Sequence, residues 1–170
     1  MNRTFRAVAA FACIAAAFPA LAQQNNNNPL VTRLEAHKVV RAADGTEKLA
    51  PAESARPGDV IEYVATYRNT GKQPIRNLEA TLPIPHDTEL VDGSARPAGA
   101  KASLDTRAFA AMPLKRQVVR DGKQVEETVP VREYRSLRWY APELAADKSA
   151  TYTARVKVLD DTPPAGKAPQ

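Results

Sequence analysis

The stretch from Gly58 to Gly71 constrains the fold of this chain more than any other segment. One side of it is mainly apolar and carries Ile61, Tyr63, Ala65 and Tyr67. Alternation with a period of two is typical of a strand that packs on a core through one face. The segment closes with Asn-Thr-Gly, residue types that tolerate the positive φ of a turn. It therefore predicts a β-strand within a sheet, and it indicates no reaction.

Other short segments with strand-like composition follow along the chain, and turn-forming residues separate them. We predict strands, including one hairpin, over residues 30–40, 58–71 with its closing turn, 74–82, 88–91, 118–129, 134–140 and 149–159. The hairpin prediction rests on Asp121-Gly122, because Asp-Gly between two extended runs favours a tight turn. No segment has a convincing amphipathic helical pattern. About seven such strands predict an all-β fold, an antiparallel β-sandwich.

The first 22 residues have the pattern of an export signal. Two arginines precede a short apolar run over residues 7–18, and residues 20–22 form a small-x-small cleavage motif. This run predicts no membrane span, since a spanning helix needs roughly 20 apolar residues. We expect cleavage between Ala22 and Gln23 and a mature protein in the periplasm or the medium.

The rest of the chain divides by composition into three parts. Residues 23–29 are polar and have nothing to bury, so we expect a disordered spacer. Residues 30–160 carry the strand pattern and form the predicted sandwich domain. Residues 161–170 are rich in proline and charge, so we expect a disordered tail.

Composition argues against several classes of function. The single cysteine, Cys13, lies in the predicted signal, so the mature chain has no thiol for a disulfide, a metal or a nucleophile. The formal charge of +5 falls to about +3 without the two arginines of the signal, and the remaining cations form no concentrated stripe. We therefore expect no nucleic-acid partner.

No motif for catalysis or for metal binding stands out. A catalytic zinc site usually needs three protein ligands at compatible spacing, and the two histidines, His37 and His86, lie in no HExxH or similar pattern. No serine lies in a GxSxG elbow. Nothing in the sequence brings two of the loop acids Glu89, Asp92 and Asp105 together as a glycosidase pair. The Asp-Gly pairs are isolated, which favours turns over calcium loops. We expect neither an enzyme nor a bound cofactor or metal.

The segment from 58 to 71 resembles the opening of the "conserved repeat" domain of bacterial exported proteins, the domain of unknown function 11 family. The residues that match its pattern are Gly58, Asp59, Tyr63, Asn69, Thr70 and Gly71. More general sandwich patterns extend the resemblance over residues 54–160. The resemblance implies an immunoglobulin-like fold and export from a bacterium, and it implies no known activity.

Two positions depart from the family pattern. Leu82 stands where the family often has Asp, and Ala146-Asp147 stands where it usually has Pro-Gly. Asp adopts a left-handed conformation more readily than most residues, so we expect the last turn to be preserved.

The charged hairpin is a first candidate for binding. It is longer than the family pattern, and surface insertions often carry binding residues. We predict that Arg116, Arg120 and Lys123, together with Tyr140, contact an envelope or cell-surface protein. A sheet edge that accepts a strand of the partner is another route to the same interaction, whereas a solvated hairpin without a role is the alternative.

Aromatic residues near the end of the chain are a second candidate. Tyr134, Trp139 and Tyr140 are positioned to form a platform for a glycan. Trp139 alternates with Leu137, which favours a core position for Trp139 and a half-exposed position for Tyr140. The sequence thus predicts an exported non-catalytic interaction module, with a carbohydrate-binding module as the alternative.

Overall fold

A computed structural model describes residues 29–160, and the predicted signal peptide, its cleavage site, all of the spacer except Pro29, and the tail lie outside them. The eleven strands are β1 Leu30–Arg41, β2 Glu47–Pro51, β3 Val60–Asn69, β4 Ile75–Pro83, β5 Thr88–Leu90, β6 Lys101–Ser103, β7 Ala110–Ala111, β8 Lys115–Arg120, β9 Lys123–Thr128, β10 Ser136–Leu144 and β11 Ser149–Val158. One turn of 3-10 helix, Val131–Glu133, precedes β10.

Two sheets pack face to face. The five-stranded sheet has the order β2-β1-β3-β11-β5, and the four-stranded sheet has the order β4-β10-β6-β7. Strands β8 and β9 form a separate two-stranded sheet. All pairings between these strands are antiparallel. The arrangement confirms the predicted all-β antiparallel sandwich.

The structure has more strands than the predicted seven. Strands β2, β6 and β7 contain five, three and two residues, which is too short to establish a period of two in the sequence. β2 lies between the first two predicted strands, and β6 and β7 lie between residue 91 and the predicted hairpin, where no strand was predicted. Pairing with neighbouring strands, and not local pattern, makes these segments extended.

The core forms where β3 and β11 face β4 and β10. Ile61, Ala65 and Tyr67 of β3 are buried, as the alternation predicts. From the opposite sheet, the Trp139 ring lies 5.2 Å from the ring of Tyr152 in β11. Burial of these apolar surfaces is the main stabilising contribution to such a sandwich.

The facing sheet does not cover β1. Leu34 is the cross-strand neighbour of buried Ala65 and shares its face, yet Leu34 remains 48% exposed. β1 therefore lies at the margin of the sandwich.

Asn69 connects two turns through its side chain. It is fully buried, and its Nδ2 lies within hydrogen-bond distance of the carbonyl oxygens of Gln73 at 2.8 Å, Leu144 at 3.0 Å and Ala145 at 3.2 Å. Its Oδ1 accepts a hydrogen bond of 2.9 Å from the backbone N–H of Gly71. The amide therefore joins the turn after β3 to the end of β10.

Gly71 is required for a different reason from the one that the sequence suggested. None of residues 69–71 has a positive φ. Instead, a Cβ at Gly71 would lie 2.7 Å from the Cβ of Pro29, which is too close for any side chain. The carbonyl oxygen of Pro29 accepts hydrogen bonds from the N–H of Thr70 at 2.7 Å and its hydroxyl at 2.9 Å. The Asn-Thr-Gly motif thus fixes the start of β1.

Both departures from the family pattern fit this fold. Leu82 is completely buried in β4, where an aspartate would be an unpaired charge. Asp147 has a φ of +57°, which confirms the left-handed turn expected between β10 and β11.

The open edge of β4 is closed at one point by a side chain. The hydroxyl of Tyr67 donates to the carbonyl oxygen of Thr81 and accepts from its N–H, each at 2.9 Å. β4 is the outermost strand of its sheet, so these are groups that an added strand would need. Tyr67 therefore blocks strand addition at Thr81.

We predict that Asn69→Asp lowers the free energy of unfolding by about 3 kcal/mol. One oxygen of the new carboxylate still accepts the hydrogen bond from Gly71. The other oxygen replaces Nδ2, so a buried negative charge faces the carbonyl oxygens of Gln73, Leu144 and Ala145 without a donor. Urea unfolding followed by Trp139 fluorescence measures the change.

Asn77→Asp is the matched control, since it makes the same chemical change at an exposed position. The side-chain oxygen that accepts the hydrogen bond from Tyr140 is retained. We therefore expect the free energy of unfolding to change by no more than about 0.5 kcal/mol. Equal stability of the two variants would contradict the role given to Asn69.

Candidate functional site

The predicted hairpin is confirmed. β8 and β9 pair from Lys115 opposite Thr128 to Arg120 opposite Lys123. Asp121 and Gly122 close it with φ values of +52° and +73°, the left-handed pair that a two-residue hairpin turn requires.

The base of the hairpin is fixed to the sandwich. Leu114 and Val129 are buried, and the N–H of Val129 donates to the carbonyl oxygen of Leu114 at 2.9 Å. The N–H of Leu114 donates to the hydroxyl of Tyr134 at 2.8 Å. Tyr134 is 1% exposed, so its ring is a structural anchor and is not available as a glycan platform.

Two of the predicted binding cations meet the same acid. Arg116 lies 3.1 Å from Glu127 and 2.6 Å from Glu133, and Arg120 lies 2.7 Å from Glu127. The hydrogen bond from Arg116, aided by the charges of both arginines, lowers the pKa of Glu127. Lys123 forms no ion pair within residues 29–160. Arg116 and Arg120 are thus already paired, while Lys123 remains open to solvent.

Tyr140 lies on the four-stranded sheet and not on the hairpin. It is 62% exposed, and its hydroxyl donates to Oδ1 of Asn77 at 2.5 Å. Trp139 points to the opposite side, is 3% exposed, and donates from its indole N–H to the carbonyl oxygen of Pro97 at 2.7 Å. The expected core position of Trp139 is confirmed, and of the three proposed platform rings only Tyr140 is accessible.

A depression lined by charged and aromatic side chains surrounds Tyr140 on the outer side of the four-stranded sheet. We call it the outer groove, and it has a volume of about 340 Å³. Its functional side chains are Glu79 of β4, Lys101 of β6, Arg138 and Tyr140 of β10, and Arg107 and Phe109 of the loop before β7.

Arg138 organises the floor of the outer groove. Its guanidinium lies 2.8 Å from Oε2 of Glu79 and donates to the hydroxyl of Thr81 at 3.1 Å. The same group lies 3.8 Å above the ring centroid of Phe109, a cation–π distance. Three elements are therefore fixed to one another through a single side chain.

Sequence reasoning found only part of the outer groove. Alternation along β10 places Arg138 and Tyr140 on one face. Lys101 comes from a three-residue strand, and Arg107 and Phe109 come from an irregular loop, so no local pattern relates them to Tyr140. The partners of β10 in the sheet bring these residues together.

The described part of the chain contains no group of three or more histidine, cysteine or acidic residues placed to hold a metal ion. Within residues 29–160, no helix has the length and apolar character needed to cross a membrane.

Comparison with known proteins identifies no family for this chain. No protein-family model and no curated protein matches the chain, so the resemblance to the conserved repeat family remains a prediction. A solved structure from Corynebacterium diphtheriae, provisionally described as a membrane anchored protein, is similar with 14% identity and a TM-score of 0.46. The match covers 83% of this chain and only 30% of that one. A likeness this weak carries no argument about function.

We predict that Arg116→Gln raises the pKa of Glu127 toward its ordinary value of 4.5. Because the folded pKa is lowered, the interaction stabilises the hairpin above about pH 4.5 and is lost as the pH falls through the folded value. A carbon-detected NMR titration of the Glu127 carboxyl measures the shift.

Arg33→Gln serves as the control, since Arg33 pairs with Glu35 on β1 and not with the hairpin. An unchanged titration of Glu127 in Arg116→Gln would show that the hairpin ion pairs are not formed in solution.

Proposed function

We propose that this chain is an exported, non-catalytic protein-interaction module of the bacterial envelope and that it binds its partner through the β8–β9 hairpin. The observation that supports this most is the isolation of the hairpin. β8 and β9 pair only with each other, so both outer edges lack a strand partner within the described residues. A strand with an open edge accepts an extended segment of another chain through main-chain hydrogen bonds.

The hairpin also exposes apolar surface. Val119 is 70% exposed and Val125 is 38% exposed. A two-stranded hairpin is at best marginally stable alone, and this one buries few of its side chains. Contact with a partner would bury that apolar surface and pair the open edges.

The ion pairs within the hairpin give Arg116 and Arg120 a different part in this proposal from the direct partner contact that the sequence predicted. Arg116 and Arg120 already bind Glu127, so their charges attract a partner less than free cations would. Their contribution is to hold the strands in register on a fixed base. Lys123, at the turn, is the predicted cation that remains available for a charged partner group.

The alternative, a carbohydrate-binding module, loses two of its three proposed rings because Tyr134 and Trp139 are buried. Only Tyr140 remains, and it lies in the outer groove, away from the two-stranded sheet.

We predict that a photo-crosslinking amino acid at Val119 or Gln124 captures one discrete protein from the envelope of the source cell. These residues are cross-strand neighbours, so a partner on the hairpin meets both. The same amino acid at exposed Ser54, on the loop after β2, is the matched control and should not give this product. Mass spectrometry of the product identifies the partner.

A shortened hairpin tests the same proposal without a probe. Deleting residues 117–120 and 123–126 keeps the turn and joins it to Arg116 and Glu127. The register and the ion pairs of Arg116 with Glu127 and Glu133 are therefore retained. Purified partner should bind this variant at least tenfold more weakly. Undiminished binding by a folded shortened protein, or equal capture from Ser54, would exclude the hairpin as the interface.

A further inference from the structure

We propose that the outer groove binds an acidic oligosaccharide, one whose sugar rings carry carboxylate groups. The groove lies on the four-stranded sheet, whereas the proposed protein interface is the separate hairpin. This inference therefore adds a second binding activity and does not depend on the hairpin.

Charge in the groove favours an anionic ligand. Arg138 is balanced by Glu79 at 2.8 Å, whereas Lys101 and Arg107 form no ion pair among residues 29–160. The nearby acid, Asp105, accepts hydrogen bonds from the backbone N–H groups of Arg107 and Ala108, which lower its pKa and commit it to the loop. The charge of Arg107 also helps to lower the pKa of Asp105, so Arg107 is partly balanced. Lys101 remains for a carboxylate group, with which it forms charge-assisted hydrogen bonds.

The aromatic side chains supply the complementary apolar surface. Tyr140 is 62% exposed, and its hydrogen bond to Asn77 fixes the ring against the sheet. A fixed, exposed ring packs against the C–H face of a sugar with little loss of conformational entropy. The adjacent pair of Arg138 and Glu79 presents both donors and acceptors to hydroxyl groups.

The loop that carries Arg107 and Phe109 is held in an unfavourable conformation. Thr106 has a φ of +65°, a left-handed value that is costly for a β-branched residue. Oδ1 of Asp105 lies 3.0 Å from the hydroxyl of Ser103 and 2.9 Å from the N–H of Arg107, so it stabilises this bend. Local strain of this kind is concentrated at functional sites, and here it positions two groove residues.

Two features of the sheet limit main-chain pairing of an extended peptide in the groove. β10 pairs with β4 along most of its length and with β6 at Ser136–Arg138. On the outer edge of β4, the hydroxyl of Tyr67 occupies the backbone groups of Thr81. Side chains supply most of the groups that a ligand meets in the groove, and such groups bind sugar hydroxyl and carboxylate groups.

The volume of the groove, about 340 Å³, lies within the range of small-molecule sites, about 300–1,000 Å³. Since the depression is open along the sheet, a short oligosaccharide can enter it without displacing a strand.

Isothermal titration of residues 23–170 with trigalacturonate and with its fully methyl-esterified form tests the proposal. The two probes share their rings, but the ester is neutral. We expect the acid to bind and the ester to bind about tenfold more weakly. Lys101→Gln should weaken binding of the acid by a similar factor, and Tyr140→Ala should abolish it. Arg68→Gln, which removes an exposed arginine of β3, is the control and should leave binding unchanged.

Several results would overturn the proposal. One is equal affinity for acid and ester, and another is unchanged affinity in both Lys101→Gln and Tyr140→Ala. Failure to bind oligosaccharides of galacturonate, glucuronate and N-acetylneuraminate at millimolar concentration is a third. Tighter binding of hexaglutamate at the same residues would assign the groove to acidic peptides. Amide spectra identify any misfolded variant, and Lys101→Gln, at an exposed side chain, remains informative if Tyr140→Ala fails to fold.

The shortened hairpin separates this proposal from the protein-interaction function. It should bind trigalacturonate normally while it loses the protein partner.

Discussion

The sandwich depends on the buried amide of Asn69. Apolar burial alone does not determine how the two sheets of a sandwich are oriented, because the hydrophobic effect has no direction. Asn69 supplies a direction, since its Nδ2 can be satisfied only when the turn after β3 lies against the end of β10. The neighbouring Gly71 then lets Pro29 approach, which sets the start of β1. Hydrogen bonding and close packing at one corner thereby define the relation between strands that are far apart in sequence.

The same scaffold carries two surfaces with different physical character. The hairpin has open strand edges, and its internal ion pairs leave little free charge. The outer groove lies over paired strands of the four-stranded sheet, and the cation of Lys101 lies beside an exposed ring. Main-chain recognition suits the first surface and side-chain recognition suits the second, so one small domain can hold two ligands without competition between them.

Prediction from sequence succeeded where a residue's environment is set by its own strand. The alternation of β3 identified its buried face, and Asp-Gly located the hairpin turn. It failed where the environment is set by distant chain segments. The hydroxyl of buried Tyr134 accepts a hydrogen bond from the N–H of Leu114, twenty residues earlier. The outer groove forms only because Lys101 of β6 lies near Tyr140 of β10. Strands β2, β6 and β7 were missed because their extended form depends on pairing with neighbours.

The position of β3 between β1 and β11 has a consequence for the order of events in folding. One neighbour of β3 is β1, which is separated from it along the chain only by β2. The other neighbour is β11, the last described strand. The Arg155–Glu62 ion pair, for example, joins residues separated by 93 positions. Loop-closure entropy makes such contacts slow to form, so the contact order of this chain predicts folding in milliseconds to seconds. A nascent chain that lacks β11 has an incomplete core, and its cooperative folding must wait until that strand is available.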